Sequence, residues 1–322
     1  MRERQTPLYT PFGPAMTALE VARGIDLTGH VAMVTGGSSG LGLETVRVLS
    51  ACRASICVPA LDPIAAQAAL SGIEGVEVWP VNLIDQVSVQ TFATTFCERR
   101  SRLDILVLNA GVMARPLFRD ADGHEGHFSI NYLGHFRLTA LLWPALLAAG
   151  KSRVVVLSSR AHQMCDVDLD DLDFVRRPYE KWMAYGQSKT ATALLAVALD
   201  RRGRRHGVSA LSVHPGMIMT PGIRHLPRSE IDAVGAVAPD GSPISDPARD
   251  LKTVEQGAAT TVWSATSPAL DSIGGVYCEN CDVARIEPDE AFGVRPYAID
   301  PERAERLWRA SASLTGSDIA KT

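Results

Sequence analysis

Short apolar runs alternate along the chain with longer stretches of mixed, helix-forming composition. The run at 30–35 is apolar without polar alternation, which is typical of a short strand buried on both faces. The same pattern predicts seven strands, at 30–35, 54–58, 76–79, 103–108, 153–157, 208–213 and 275–278. The stretches between and after them predict helices, chiefly at 43–51, 64–70, 87–99, 124–149, 183–205, 253–265 and 301–314.

Strands joined by helical crossovers form a parallel sheet, because each crossover returns the chain to the same end of the sheet. The sequence therefore predicts a single-domain α/β fold, a doubly wound parallel sheet of about seven strands with helices on both faces. The domain is predicted at 29–285, with an insertion near 221–250 that forms a partly helical lid. Residues 1–28 form an N-terminal extension, and residues 286–322 a C-terminal extension that ends in a helix.

Composition narrows the classes of partner. The 322 residues have a formal net charge of −4, so no chain-wide basic field attracts nucleic acid. No apolar run reaches the roughly 18 residues of a membrane span, and the N-terminus lacks the apolar core of a signal peptide. We therefore expect a cytoplasmic protein that binds neither nucleic acid nor membrane.

The six cysteines, at 52, 57, 97, 165, 278 and 281, are scattered and mostly in apolar contexts. This distribution favours reduced, buried thiols over a disulfide framework. Cys278 and Cys281 have metal-ligand spacing, but no second pair and no nearby histidine accompanies them. We expect no metal site and interpret the pair as buried thiols at a strand end, with a redox-active pair as the alternative.

A glycine-rich turn follows the first predicted strand and leads directly into a helix. Such a turn directs the backbone N–H groups of a helix N-terminus toward a pyrophosphate, and glycines let the backbone approach it closely. The glycine spacing departs from the more common G-x-G-x-x-G, so a tight structural turn is the alternative. Because the turn follows a buried strand, dinucleotide binding is the better interpretation. The residues concerned are Gly36, Ser38, Ser39, Gly40, Leu41 and Gly42.

Tyr185 and Lys189 stand four residues apart in a predicted helix, so they share one of its faces. A phenol normally loses its proton near pH ~10, and a fixed ammonium beside it favours the phenolate. The pair alone is weak evidence, because a surface tyrosine packed on a lysine stem gives the same pattern. Other segments expected at the same edge of the sheet favour a functional pair, since ligands of such a sheet bind beyond the carboxyl ends of the strands. At that edge we also place 109–111, Ser158, Ser159 and 215–220.

These motifs resemble the short-chain dehydrogenase/reductase family over roughly residues 28–220, with every signature in order. Thr35-Gly-Gly-Ser-Ser-Gly-Leu-Gly42 is similar to its cofactor turn, and Asn109-Ala-Gly111 to its strand-four motif. Within the family, members like the retinol dehydrogenases and the WW-domain oxidoreductases are the most similar. That likeness rests on Ser-Ser-Arg-Ala-His162, Ala-Tyr-Gly-Gln-Ser-Lys189 and Ser-Val-His-Pro-Gly216.

The resemblance implies a Rossmann fold and an NAD(P)-dependent oxidoreductase. It implies four catalytic residues, Asn131, Ser159, Tyr185 and Lys189. It implies cofactor contacts from Gly36, Ser38, Ser39, Gly40, Leu41, Gly42, Leu61, Asn82, Leu83, Asn109, Ala110, Gly111, Tyr185, Lys189, Pro215, Gly216, Ile218 and Thr220.

The implied mechanism is physically consistent. Hydride that reaches a carbonyl carbon builds negative charge on the oxygen, and a donor must neutralise that charge as it forms. By resemblance, Tyr185 donates the proton, Ser159 hydrogen-bonds the same oxygen, and Lys189 lowers the tyrosine pKa and holds the ribose. Asn131 links the lysine to solvent through water. In the oxidative direction the tyrosinate is the base.

The choice of nicotinamide is read at the end of the second strand, where an acid binds the ribose hydroxyls or an arginine accommodates a 2′-phosphate. Compared with relatives, Ala60 occupies the position of the acid and Leu61 that of the arginine, so the chain has neither the acid nor the arginine at its usual place. Asp62 could reach back and favour NAD, whereas Ser38 and Ser39 could donate to the phosphate of NADP. We prefer NADP over NAD, because no acid at the expected position repels the phosphate.

Apolar residues near the predicted site favour an apolar alcohol, ketone or aldehyde as the substrate.

His162 and His214 are interpreted as structural. A homodimer or homotetramer is expected from the resemblance. The alternative functions are a non-catalytic dinucleotide-binding sensor and a sugar-nucleotide epimerase or dehydratase. The candidate pocket wall comprises Met164, Trp182, Met183, Met217, Ile218, Met219, Ile223 and Leu226.

Overall fold

Eight strands form the central sheet of the computed structural model, which describes residues 5–220, 226–238 and 240–319. With the two strands of a separate small sheet, β7 and β8, the described residues contain ten strands. In chain order these are β1 (Val31–Val34), β2 (Ser55–Ala60), β3 (Val76–Pro80), β4 (Ile105–Leu108), β5 (Ser152–Leu157), β6 (Val208–His214), β7 (Met217–Ile218), β8 (Leu251–Lys252), β9 (Val276–Glu279) and β10 (Asp282–Val283). The sheet order is β10-β9-β6-β5-β4-β1-β2-β3, while β7 and β8 pair separately. All neighbours in the large sheet are parallel except β9 and β10.

The predicted doubly wound sheet is thus confirmed, with one strand more than the seven expected. The additional strand, β10, follows β9 through a two-residue turn at Asn280 and Cys281, which both have positive φ. A two-residue strand is too short to show a hydrophobic period. It is therefore decided by the turn and by the edge of β9 rather than by a sequence pattern.

Ten α-helices flank the strands within the described part of the chain. They are α1 (Ala18–Val21), α2 (Gly40–Ala51), α3 (Pro63–Ala69), α4 (Gln86–Arg99), α5 (Gly134–Ala148), α6 (Lys181–Gly203), α7 (Arg228–Val234), α8 (Val254–Gly257), α9 (Ala259–Thr266) and α10 (Pro301–Thr315). A π-helical segment, Phe128–Leu133, leads into α5. Each of the seven main predicted helices is therefore present, although the region predicted at 124–149 divides into two helical types and that at 253–265 divides into α8 and α9.

Two apolar cores lie on opposite faces of the sheet. One contains the inner faces of α4, α5 and α6 together with α10, and the other contains those of α1, α2 and α9. Strands covered on both sides need apolar residues at successive positions, which explains the uninterrupted apolar runs in the sequence. The predicted site residues follow the carboxyl ends of the strands and therefore lie along one edge of the sheet.

Both extensions pack on the domain. The Gln5 side chain donates to the carbonyl oxygens of Tyr277 (2.8 Å) and Ala284 (2.7 Å), so the N-terminal extension is held beside β9. At the other end, α10 lies across α5 and α6, where the Trp308 ring is 4.6 Å from that of Phe136. The outer faces of α5 and α6 are therefore partly covered by the chain's own C-terminus.

The segment predicted as a lid contains α7, a bridge between Val237 and Pro243, and a 3-10 turn at Pro247–Arg249. Glu230 of α7 accepts hydrogen bonds from the Lys181 ammonium (2.6 Å) and the Trp182 indole (2.9 Å). The segment therefore contacts the first turn of the tyrosine helix α6. Residues 221–225, which include the predicted wall residue Ile223, and residue 239 lie outside the described residues.

Candidate active site

The glycine-rich turn connects β1 to α2 at the carboxyl edge. Gly36 and Gly40 have φ of +63° and +51°, a region that glycine adopts without strain. A Cβ on Gly42 would overlap the Gly36 carbonyl and the Asn109 side chain, so only glycine fits there. Ser39 precedes the helix, and its hydroxyl makes no capping bond to α2. The first N–H groups of α2 are thus left without a side-chain cap, as an anion site requires.

The strand-four motif packs directly against this turn. The Asn109 side chain donates to the carbonyl oxygens of Thr35 (2.9 Å) and Gly36 (3.2 Å). The Thr35 hydroxyl accepts the backbone N–H groups of Asn109 (2.8 Å) and Ala110 (3.0 Å). The structure therefore brings together the two predicted cofactor segments, and Asn109 acts as the polar joint between them.

Asn131 lies in the π-helical segment rather than in an ordinary α-helix. Its side chain accepts the backbone N–H of Val112 (2.8 Å) and donates to the Val112 carbonyl (3.0 Å) and the Ser188 hydroxyl (2.9 Å). It thus connects the loop after β4 to the tyrosine helix α6. A Cβ on Gly111 would lie 2.9 Å from the Asn131 carboxamide oxygen and 3.9 Å from the Lys189 nitrogen, so these three residues meet in one place.

Ser159, Tyr185 and Lys189 meet where β5 ends beside α6. The Ser159 hydroxyl lies beside the Tyr185 phenol and lowers its pKa, and the Lys189 ammonium donates to the Leu157 carbonyl at 3.0 Å. The same ammonium lies 5.6 Å from the centre of the Tyr185 ring. The neighbouring Ser158 hydroxyl is turned away and donates to the Lys189 carbonyl at 2.7 Å. Of the two serines, the second is therefore the one that lies beside the tyrosine.

Burial controls the charges of this group. It raises the pKa of Tyr185 to about 12, and the Ser159 hydrogen bond lowers that pKa by a smaller amount. Burial also lowers the pKa of Lys189 to about 8. The lowering of the tyrosine pKa that the sequence led us to expect is therefore outweighed by desolvation in this structure. The sequence could not show this, because burial is a property of the folded chain.

The predicted nicotinamide segment follows β6. Pro215 is buried, Gly216 has φ of +102°, and the Thr220 N–H donates to the Ile218 carbonyl at 2.9 Å. A Cβ on Gly40 would lie 3.4 Å from the Thr220 methyl group, so this segment reaches back to the glycine-rich turn. The predicted pyrophosphate and nicotinamide parts of the dinucleotide site are thus adjacent.

The residues that follow β2 and β3, at 61–64 and 82–83, form the predicted adenosine end of the cofactor site; this surface, here called the adenine rim, is more open. Leu61 is 77% exposed, and Asp62 accepts the N–H groups of Ile64 (3.1 Å) and Ala65 (3.0 Å) as the N-cap of α3. The carboxylate of Asp62 is thus already used by its own helix. Asn82 accepts the Ile84 N–H (3.3 Å), and Leu83 packs against α5.

A buried polar cluster beside Tyr185 has no counterpart among the predicted residues. Glu125 and His127 are fully buried and hydrogen-bonded at 2.8 Å, and the Tyr179 hydroxyl donates to the Arg115 carbonyl at 2.9 Å. The His127 ring lies 6.1 Å from the Tyr185 ring. These residues precede the tyrosine helix by different distances, and no spacing in the sequence connects them.

His162 and His214 are both buried and bonded to backbone, in agreement with a structural role. His162 hydrogen-bonds the Ser159 carbonyl at 2.7 Å and accepts the Arg295 N–H at 3.1 Å. Burial lowers its pKa to about 3, so the ring is neutral. His214 accepts the Arg160 N–H at 3.1 Å. The C-terminal extension therefore supports the turn at 159–164, here called the serine turn, through His162. The sequence did not indicate this contact.

The candidate wall residues vary in exposure. Met164 and Met217 are 49% and 38% exposed, while Trp182 is half-buried with its ring 6.3 Å from that of Tyr185. Phe292, from the C-terminal extension, is 40% exposed and lies under the Arg160 guanidinium. Large apolar side chains thus lie near the site on several segments, including one that sequence reasoning did not consider.

Cys278 and Cys281 are buried thiols on β9 and the turn after it. Burial raises the pKa of Cys281 to about 11 and that of Cys278 further, so both are protonated at neutral pH.

In the described ranges, no helix is long and apolar enough to span a membrane.

A tyrosine, a serine and a lysine at the carboxyl edge of a doubly wound sheet, opposite an uncapped helix N-terminus, define the class of dinucleotide-dependent oxidoreductases. Sequence comparison agrees. The short chain dehydrogenase family profile matches residues 30–230, and the chain belongs to that family as an NAD(P)-dependent oxidoreductase.

Individual relatives extend the similarity over most of the chain. A protein from Streptomyces antibioticus named "Probable oxidoreductase" is 43% identical, over 88% of this chain and 97% of the relative. The WW domain-containing oxidoreductase of Danio rerio is 36% identical over 92% of this chain and 71% of the relative. Among solved structures, an uncharacterised protein from Mycobacterium paratuberculosis superposes with a TM-score of 0.72 at 30% identity, covering 93% of this chain and 98% of that one.

Proposed function

We propose that this protein transfers a hydride between a nicotinamide dinucleotide and an apolar alcohol, ketone or aldehyde, with Tyr185 as general acid and base. The observation that carries the proposal is the position of Ser159 and the buried Lys189 beside the Tyr185 phenol, with the Lys189 ammonium held by the Leu157 carbonyl. A bound nicotinamide supplies or accepts the hydride. Tyr185 gives its proton to the forming alkoxide, and Ser159 donates to the same oxygen.

The remaining predicted residues support this chemistry. Lys189 is held by the Leu157 carbonyl, so its charge has a fixed position from which it can meet ribose hydroxyls. Asn131 fixes the loop after β4 against α6, and we propose that it links Lys189 to solvent through water, so that the proton lost by Tyr185 is replaced. The glycine-rich turn binds the pyrophosphate of the dinucleotide, and the segment at 215–220 contacts its nicotinamide.

For the cofactor we propose NADP rather than NAD. Asp62 is engaged as a helix cap, and Ala60 offers no carboxylate to the ribose hydroxyls. Ser39 is exposed with its hydroxyl uncommitted to its own helix, so it can donate to a 2′-phosphate. Fluorescence titration of the protein with NADPH and with NADH tests this choice, and tighter binding of NADH would contradict it.

Absorbance at 340 nm, with both cofactors and a panel of linear and cyclic ketones, aromatic aldehydes and their alcohols, tests the activity. Tyr185→Phe keeps the packing but removes the proton, so we expect turnover to be lost while cofactor affinity is retained. Cofactor binding without turnover of any compound by the wild-type protein would instead favour a dinucleotide-binding sensor. Product formation without net redox change would favour an epimerase or dehydratase.

The subunit arrangement is also a proposal. A homodimer or homotetramer has to avoid the parts of α5 and α6 that α10 covers, where Tyr132 and Ser311 hydrogen-bond at 2.8 Å and Arg202 pairs with Glu305 at 2.9 Å. Light scattering of the purified chain measures the subunit number. Truncation before α10 would be expected to expose an apolar face and promote association.

A further inference from the structure

Three hydrogen bonds close a ring between the serine turn and the end of β6. The backbone N–H of Arg160 donates to Nδ1 of His214 at 3.1 Å. Nε2 of His214 donates to Oδ2 of Asp250 at 2.7 Å, and Nε of Arg160 donates to the same Oδ2 at 3.0 Å. Arg160 directly follows Ser159, and His214 directly precedes Pro215. Asp250 thus holds the residues next to two separate parts of the candidate site.

The backbone of Asp250 makes a further contact to the second of these parts. Its carbonyl accepts the Met217 N–H at 2.8 Å, which continues the pairing of β7 with β8. Asp250 reaches this position with φ of +69°, a conformation that few side chains tolerate but that aspartate and asparagine adopt more readily. Its side chain and its backbone therefore act on the same segment from two directions.

The ring is buried and its charges are balanced. Asp250 is 4% exposed and His214 is 3% exposed. Burial alone would raise the pKa of Asp250, but His214 and Arg160 lower it more strongly, so the carboxylate is ionised. Arg160 also donates to Glu279 at 3.2 Å. A buried ionic group of this kind is costly to disrupt, because removing one partner leaves the others without compensation.

We propose that Asp250 is a positioning residue for the reaction. It holds the serine turn and the segment at 215–220 at a fixed distance from each other. The serine must face the reacting oxygen while the segment presents the nicotinamide, and a small displacement of either lowers the rate. This inference rests on the proposed function for the roles of those two parts. It adds a residue from the end of the predicted lid, far from every motif in the sequence.

The geometry of Asp250 offers a conservative variant. Both side-chain donors reach Oδ2, while Oδ1 is buried without a hydrogen-bond partner. In Asp250→Asn the amide oxygen can occupy the Oδ2 position and accept both bonds, and asparagine tolerates the positive φ. Asp250→Ala removes both bonds and leaves Nε of Arg160 and Nε2 of His214 without this acceptor. The two variants thus separate the hydrogen bonds from the rest of the side chain.

Asp104 provides a matched control on the opposite edge of the sheet. It is 3% exposed, pairs with an arginine (Arg102 Nε, 3.0 Å) and accepts the backbone N–H of Val31 (2.9 Å). Asp104→Ala therefore removes another buried aspartate that pairs with an arginine, here a more exposed one, at a distance from the site. Thermal unfolding of all three variants shows whether each is folded before any rate is measured.

The first measurement is steady-state kinetics with NADPH and the ketone of the panel that the wild-type protein reduces fastest. We expect Asp250→Ala to lower kcat at least about tenfold with KM and cofactor affinity within about threefold, because alignment and not binding is lost. Asp250→Asn should recover most of kcat, and Asp104→Ala should leave it unchanged. A kcat within about twofold of wild type in Asp250→Ala, or an equal loss in Asp104→Ala, would overturn the proposal.

The second measurement needs no substrate, and so it separates failure of this inference from failure of the proposed function. Amide hydrogen exchange, followed by mass spectrometry, should be at least about tenfold faster at both 159–165 and 214–220 in Asp250→Ala. Exchange there should be unchanged in Asp104→Ala. If the wild-type protein reduces nothing in the panel, the exchange result decides alone: faster exchange in both segments supports the coupling, and unchanged exchange overturns it.

Discussion

The two halves of the carboxyl edge are built differently. Around the tyrosine helix, Ser188, Lys189 and Thr190 are almost completely buried, and each makes a hydrogen bond to a separate segment of the chain. At the adenine rim, Leu61 and Ile64 are 77% and 85% exposed. The catalytic half is a packed polar network, whereas the rim is an open surface with few committed groups.

This difference shows where the chain can vary. A buried polar network tolerates few changes, because each lost partner leaves a donor or acceptor without water. An exposed rim can exchange side chains at little cost to stability. We infer that the chemistry is determined in the first half and the choice of cofactor in the second, and four predictions test this division.

The largest effect is expected from a comparison of the adjacent serines. Ser159→Ala removes the hydroxyl beside Tyr185 that is proposed to donate to the reacting oxygen, and it should lower kcat by about 10²–10³ with cofactor affinity unchanged, as for loss of one oxyanion donor. Ser158→Ala loses a bond to the Lys189 carbonyl and should mainly lower the melting temperature. Equal losses of kcat in the two variants would contradict the assignment of roles.

The second prediction concerns pH. Because burial raises the pKa of Tyr185 to about 12, the tyrosinate fraction should rise about tenfold per pH unit at neutral pH. The rate of alcohol oxidation should therefore increase about 100-fold from pH 6 to pH 8, while carbonyl reduction, which needs the protonated phenol, should not increase. A plateau of the oxidation rate near pH 7 would show that the Lys189 charge outweighs burial once the cofactor is bound.

The third prediction concerns the glycine-rich turn, which lies between the two halves. The Cβ in Gly42→Ala would overlap the Gly36 carbonyl and the Asn109 side chain, so the turn has to move. We expect cofactor affinity to fall at least about tenfold by fluorescence titration, since the phosphate contacts depend on close backbone approach. Gly13→Ala is the matched control, because its Cβ would meet nothing within 4 Å. Normal affinity in the Gly42 variant would argue against this turn as the phosphate site.

The smallest effect is expected at the rim. Ala60→Asp supplies the carboxylate that is missing from the end of β2 and should shift the NADPH to NADH affinity ratio by about tenfold toward NADH. Its melting temperature should change little, and kcat with the preferred cofactor should be retained. A large loss of kcat would break the proposed division, because it would mean that the rim also controls the chemistry.

Much of this could be predicted from the sequence. The seven parallel strands are present near their predicted bounds, because each is an apolar run that only a sheet covered on both faces can bury. The glycine-rich turn, Asn109, Ser159 and Tyr185 meet at one edge, because parallel strands bring their carboxyl ends together. The π-helical segment around Asn131 was not predicted, since its residues continue the apolar pattern of α5 without a break.

The tertiary structure alone decided the remaining features. The ring joins Asp250 to His214, which is 36 positions away in the sequence, and to Arg160, which is 90 positions away. No periodicity connects such distant positions. The pKa of Tyr185 depends on desolvation by the whole fold, whereas only the neighbouring lysine could be recognised in the sequence. The order of elements and the chemical groups at the sheet edge follow from local pattern. Their protonation and alignment depend on contacts between distant segments, which exist only after the chain has folded.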